Sequence, residues 1–124
     1  MTQEPESKLS EMTAAERVEQ IDRLVSHVWM VRAFLTHCDE AVDDEDLQEI
    51  HRDLYDFMLA LGPALSAGDD ATYLKQAKKK LKRLRRATDL FVEIQPEVST
   101  HTNFQMAARS LQAAAHQVIA LVQG

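Results

Sequence analysis

The sequence predicts an all-α protein, an antiparallel up-down-up-down four-helix bundle. Three observations carry that expectation. Strong helix formers (Ala, Leu, Glu, Gln, Lys, Met) recur throughout, whereas glycine and proline number only three each in 124 residues. Apolar residues return every three or four positions in four separate runs. Short segments rich in capping and breaking residues divide those runs, and short turns make consecutive helices antiparallel neighbours. No segment reads as a pair of strands.

Residues 1–12 are polar, contain Pro5 and lack an apolar period, so they read as a flexible tail preceding a bundle domain over 13–124. The first helix starts at Thr13, which with Glu16 forms a capping-box pattern. Val18, Ile21 and Leu24 follow at helical spacing, and the pattern lasts to about Asp39 or Ala41. The acids Asp43, Asp44, Glu45 and Asp46 suit the start of a second helix, where free N–H groups and the helix dipole favour carboxylates. Its stripe is Leu47, Ile50, Leu54, Phe57 and Leu61. Gly62 and Pro63 read as its stop, with "PALSAGDD" as the longest connection.

Asp69 or Asp70 caps the third helix, whose stripe Leu74, Ala77, Leu81, Leu84, Thr88, Phe91 runs until Pro96. Ser99, Thr100 and Thr102 are candidate caps for the fourth, with Thr102 and Gln105 offering a second capping box. Its stripe is Phe104, Ala108, Leu111, Ala115, Val118 and Val122. The alanines of this helix at 107, 113, 114, 115 and 120 permit close helix approach and offer a secondary seam.

A single cysteine, Cys38, cannot form an internal disulfide, and the first ten residues lack the basic and apolar regions of a signal peptide. A cytoplasmic location is expected. Histidine and arginine interrupt the longest apolar run, so no membrane span is expected.

The net charge of −6 is unevenly spread: eight of the fourteen Lys and Arg lie in residues 75–86, whereas residues 38–56 hold nine acids and one arginine. Antiparallel second and third helices would set the basic run beside Asp46, Glu49, Asp53 and Asp56, where the pairing helps to select register. The functional alternative for residues 75–86 is an acidic protein partner. Nucleic acid is disfavoured, because aromatic interleaving is missing and the chain is acidic overall.

The stretch "SHVWMVRAFLTHCDE" holds most of the functional signal. At 100° per residue, Leu24, His27, Val28, Met30, Phe34, Leu35, Cys38, Ala41 and Val42 fall on one arc around Val31, the expected core face. His27 is expected to be buried or half-buried and hydrogen-bonded to a neighbouring helix. Trp29 points away from that arc, accompanied by Val25, Arg32, Thr36 and Ala33. Tryptophan and arginine dominate protein interfaces, so these five residues are the expected interface of a homodimer. Arg32 is expected to pair with Asp39 or with an acid across that interface.

Catalytic signatures are missing. The Glu-x-x-His pairs of carboxylate-bridged bundle sites do not occur, and His27 and His37 lie too far apart along a helix to share an ion. The chemical alternative is a histidine and carboxylate site at the bundle end, built from His37, Glu40 and His101 and able to bind a metal. Phosphotransfer through a histidine fits less well: His27 has bulky apolar neighbours, and His116 has no cation in the following turn. Cys38 lies on the core arc, where a thiol is less reactive. No cofactor is expected, and the sequence favours a non-enzymatic binding module.

Overall fold

The computed structural model describes residues 11–124 and contains four helices: α1 (Ala14–His37), α2 (Glu45–Ala67), α3 (Asp70–Val98) and α4 (Thr102–Gln123). A 3-10 turn, Asp39–Ala41, sits between α1 and α2. The helices alternate in direction and close into a ring in which each packs on two neighbours. The fold is the expected up-down-up-down bundle, and no strand occurs among the described residues.

Local chemistry sets most helix ends. The Thr13 hydroxyl accepts from the Glu16 N–H at 3.1 Å while the Thr13 N–H donates to Glu16 Oε1 at 3.2 Å, a complete capping box. Asp44 caps α2 by accepting from Leu47 N–H, and Asp69 caps α3 by accepting from Thr72 N–H and from the Thr72 hydroxyl.

Four boundaries differ from the sequence expectation, the first being α1, which ends at His37 with Cys38 extended, short of Asp39 or Ala41. Gly62 and Pro63 do not stop α2, which continues to Ala67 and ends at Gly68 in the left-handed region, φ 67°. Proline deprives the Leu59 carbonyl of its helical donor, but Leu59 and Pro63 are exposed, so water can serve that oxygen. The longest connection is therefore not "PALSAGDD" but residues 38–44, between α1 and α2. Likewise α3 passes Pro96 and ends at Val98, since a proline in the last turn costs one hydrogen bond at most. The cap of α4 is neither Ser99, Thr100 nor Thr102: His101 Nδ1 accepts from Asn103 N–H at 3.0 Å, while Gln105 reaches back to the Thr100 carbonyl.

The core is one continuous apolar cluster drawn from all four helices. The α2 stripe Leu47, Ile50, Leu54, Phe57, Leu61 is entirely buried, as are Ala77, Leu81, Leu84, Thr88 and Phe91 of α3. Thr88 satisfies its hydroxyl by donating to the Leu84 carbonyl at 2.7 Å. Buried Ala108, Ala114 and Ala115 bring α4 close to its neighbours.

α1 is turned from the expected orientation. Val18, Ile21, Val28, Val31 and Leu35 are buried, which moves the centre of its core face roughly 50° past Val31 toward Val28. His27 and Met30 consequently lie outside the core, with Met30 65% exposed. His27 still meets a neighbouring helix, its Nδ1 standing 3.4 Å from the Ser110 hydroxyl of α4. Val42 also leaves the core and is 67% exposed.

The four seams are unequal. α2 and α3 share the most extensive contact, supported by ion pairs between Asp53 and Arg86 and between Asp56 and Arg83. α1 is held firmly to α4, where Arg17 donates to the Leu121 carbonyl and Phe34 meets Phe104 edge to face at 5.0 Å. The α1–α2 seam is the thinnest of the four. It is bridged by the long acidic connection, and it carries the unusual chemistry.

Candidate functional site

Because α1 and α2 touch sparingly, the outer flank of their seam is lined by side chains that neither helix covers. α1 contributes Val25, Trp29, Arg32 and Thr36, which recur along one stripe at steps of three and four, and α2 contributes His51, Tyr55 and Leu59 at steps of four with Arg52 beside them. Trp29 is 47% exposed, Tyr55 40% and Leu59 59%.

Arg32 ties the two helices together. Its guanidinium carbon lies 4.2 Å from the Trp29 ring centre and 5.1 Å from that of Tyr55, an arginine set against two aromatic faces. Its Nη1 is 3.1 Å from His51 Nε2, and His51 stacks on Tyr55 with ring centres 6.5 Å apart. Arginine can only donate, so His51 accepts here through an unprotonated nitrogen. Burial, then the nearby Arg32 and Arg52 charges, hold the His51 pKa below the ordinary 6.5, consistent with that role.

The expected pairing of Arg32 with Asp39 is not formed. No carboxylate lies within 4.0 Å of Arg32 or Arg52 among the described residues, and Arg32 Nε is buried without a hydrogen-bond partner. Asp39 lies in the turn that follows α1, beyond the level at which His51 meets the guanidinium.

Toward the acidic connection the seam opens into a cavity of about 350 Å³, with Leu35, Ala41, Val42 and Leu47 as its apolar wall and Gln48, His51 and Arg52 at its polar side. Gln48 ties the connection down by donating to the carbonyls of Ala41 and Val42.

The expected interface residues are distributed over this face unevenly. Trp29 and Thr36 are exposed; Val25, Arg32 and Ala33 are half-buried, and Val25 also packs on the bundle's own core. The sequence reading missed the α2 half of the face, His51, Arg52, Tyr55 and Leu59. The signal for it was the recurrence of these residues at positions 51, 55, 59 beside the core stripe of α2, legible only once the flank facing α1 is known.

The residues of the chemical alternative are not assembled into a metal site. A separate cavity at the bundle end is lined by Phe34, Cys38, Glu40, Ser99, His101 and Phe104, which brings Glu40 and His101 together as the topology requires. His37 is exposed and outside that lining, and His101 spends Nδ1 on capping α4. Among the described residues no group of three or more His, Cys, Asp or Glu is placed to hold a metal ion. Burial pushes the Cys38 thiol pKa up, with Glu40 and Asp39 adding to the effect, and the thiol donates to the Leu35 carbonyl at 3.4 Å. Such a thiol is a poor nucleophile.

The basic run lies beside acidic α2, as charge distribution suggested. Arg86 holds Asp53 in a two-pronged contact at 3.0 and 3.1 Å, and Arg83 Nη1 reaches Asp56 at 2.6 Å. Asp46 and Glu49 take no part in ion pairs among the described residues. Lys75, Lys78, Lys79, Lys82 and Arg85 remain exposed along α3. His116 of α4 is exposed, and Arg85 and Asp89 of α3 border a cavity of about 250 Å³ with it. No helix of the described residues is long and apolar enough to cross a membrane.

No family model matches the chain, and neither a curated protein nor a solved structure shows significant similarity to it.

Proposed function

We propose that this chain is a non-enzymatic interaction module that self-associates through the outer flank of the α1–α2 seam. The observation that carries the reading is one face on which Trp29 and Tyr55 are both partly exposed while Arg32 is held against both rings. Exposed apolar residues scattered singly are ordinary on any protein, but a tryptophan and a tyrosine set against an ordered arginine form the composition that dominates binding energy at interfaces. The cluster is also pre-ordered: stacking and the His51 contact fix Arg32 before any partner arrives, which lowers the entropy lost on docking. With a lone half-buried thiol and no disulfide among the described residues, the chain suits a reducing compartment such as the cytoplasm.

The test is sedimentation equilibrium of the wild type and of Trp29→Ala from about 5 to about 500 µM, a range that brackets ordinary self-association. The wild type should approach twice its 14.1 kDa with rising concentration. The variant should stay monomeric while keeping its helical circular dichroism. A wild type that remains monomeric throughout, or a variant that dimerises as well as the wild type, defeats the proposal.

A further inference from the structure

Resting on that self-association, we infer how the two copies are set: the acidic connection of each lies on the arginine cluster of the other, about a twofold axis close to Thr36 and Gln48. The face carries its two signs of charge in separate zones. Arg32 and Arg52 form the positive zone, without a carboxylate within 4.0 Å among the described residues. Asp43 and Glu45 form the negative one: both are exposed, and neither has a cation within 4.0 Å among the described residues. Asp44 between them is engaged as the α2 cap.

Spacing fixes the arrangement. Glu45 and Arg52 lie seven residues apart on one outward stripe of α2, two turns or about 10 Å along the axis at 1.5 Å per residue. A twofold axis midway, between Gln48 and Glu49, exchanges them, so Glu45 of one copy meets Arg52 of the other and the reverse. In a twofold interface every contact is made twice, and a face whose positive and negative zones are equidistant from one point satisfies both at once.

The same operation carries the connection of each copy, with its exposed Val42, toward the Arg52 and Tyr55 end of the other copy's α2. Tyr55 and Trp29 flank Arg32, so the most exposed large apolar side chain of this face, 67% for Val42, is carried toward its exposed aromatic pair. The residues beside the axis on its α1 side are the uncharged Thr36 and Gln48, and exposed Glu49 borders it on the side toward α3. An axis through Arg32 would oppose two guanidinium groups, and one through Asp43 two carboxylates. Only the intermediate position avoids both.

Charge exchange tests the arrangement. Arg52→Glu and the double variant Asp43→Arg/Glu45→Arg each place like charges at both contacts, so each alone should dimerise at least about tenfold more weakly than the wild type. An equimolar mixture should form a heterodimer within about threefold of wild-type affinity, because each contact again joins opposite charges. Wild-type dimerisation should also weaken as sodium chloride rises to about 0.5 M, a readout that does not depend on the variants folding. A wild-type dimer that requires Trp29 yet ignores the charge variants, is not restored by mixing, or is indifferent to salt overturns the arrangement alone. A monomeric wild type overturns it together with the self-association beneath it.

Discussion

Replacing Arg86 by alanine should cost far more than replacing Arg83, although the two arginines lie one turn apart on α3 and both pair with acids of α2. The Asp53 side chain is 8% exposed and takes both of its strong contacts from Arg86, at 3.0 and 3.1 Å; Arg83 stands 4.0 Å away, beyond hydrogen-bond range. Arg86→Ala therefore leaves a nearly buried carboxylate unpaired. Losing one partner of a fully buried pair costs about 3–5 kcal/mol. The Arg86 side chain is itself 59% exposed, so water recovers part of that, leaving roughly 1.5–2.5 kcal/mol. Arg83 and Asp56 are 42% and 45% exposed, and their pair belongs to the surface class, about 0–1 kcal/mol. Urea unfolding followed at 222 nm should separate the two variants by about 1 kcal/mol or more, and Asp53→Ala added to Arg86→Ala should restore part of the loss by removing the stranded charge. Equal losses for Arg86→Ala and Arg83→Ala, or an unaffected Arg86→Ala, would refute the assignment of Asp53 as the pinned acid of the α2–α3 register.

Two further expectations concern glycine and histidine. Gly68→Ala should destabilise by about 1 kcal/mol, because its φ of 67° is strained for any residue with a Cβ even though that Cβ would meet nothing. Gly62→Ala should move stability much less, because the helix-propensity gain of about 0.5–1 kcal/mol inside α2 is offset by the crowding of a Cβ against the following Pro63, and thermal melts of the two variants should separate accordingly. His51, held below 6.5 when folded, binds protons more readily when unfolded. Stability from this residue is present above pH 6.5 and is lost as pH falls through the depressed folded value, so the wild type should weaken between neutral and mildly acidic pH, and His51→Gln should flatten that slope. An NMR titration placing the folded His51 midpoint above 6.5 would contradict this.

Most of the fold is legible in the sequence because three helices bury one narrow stripe, and Leu47, Ile50, Leu54, Phe57 and Leu61 announce theirs by spacing alone. α1 is harder. Val25, Trp29 and Ala33 place apolar groups on its outer side, so the centre of its core face cannot be found by angle, and Met30 and His27 are misassigned for that reason. Gly62–Pro63 carries a strong stop signal locally, yet the burial of Ala64 beyond it rewards continuing the helix. His101 escapes as a cap because imidazole rarely fills that role. Half of the candidate face is visible as the oddity of Trp29 and Arg32, whereas His51 and Tyr55 acquire meaning only when a second helix brings them to the guanidinium.

The inequality of the four seams gives the molecule a mechanical grain. Three edges are stitched by ion pairs, ring contacts or dense aliphatic packing, while the fourth is crossed by one arginine and its histidine. Such a ring resembles a clasp more than a cylinder: its edge with the fewest contacts is the one where local opening costs least.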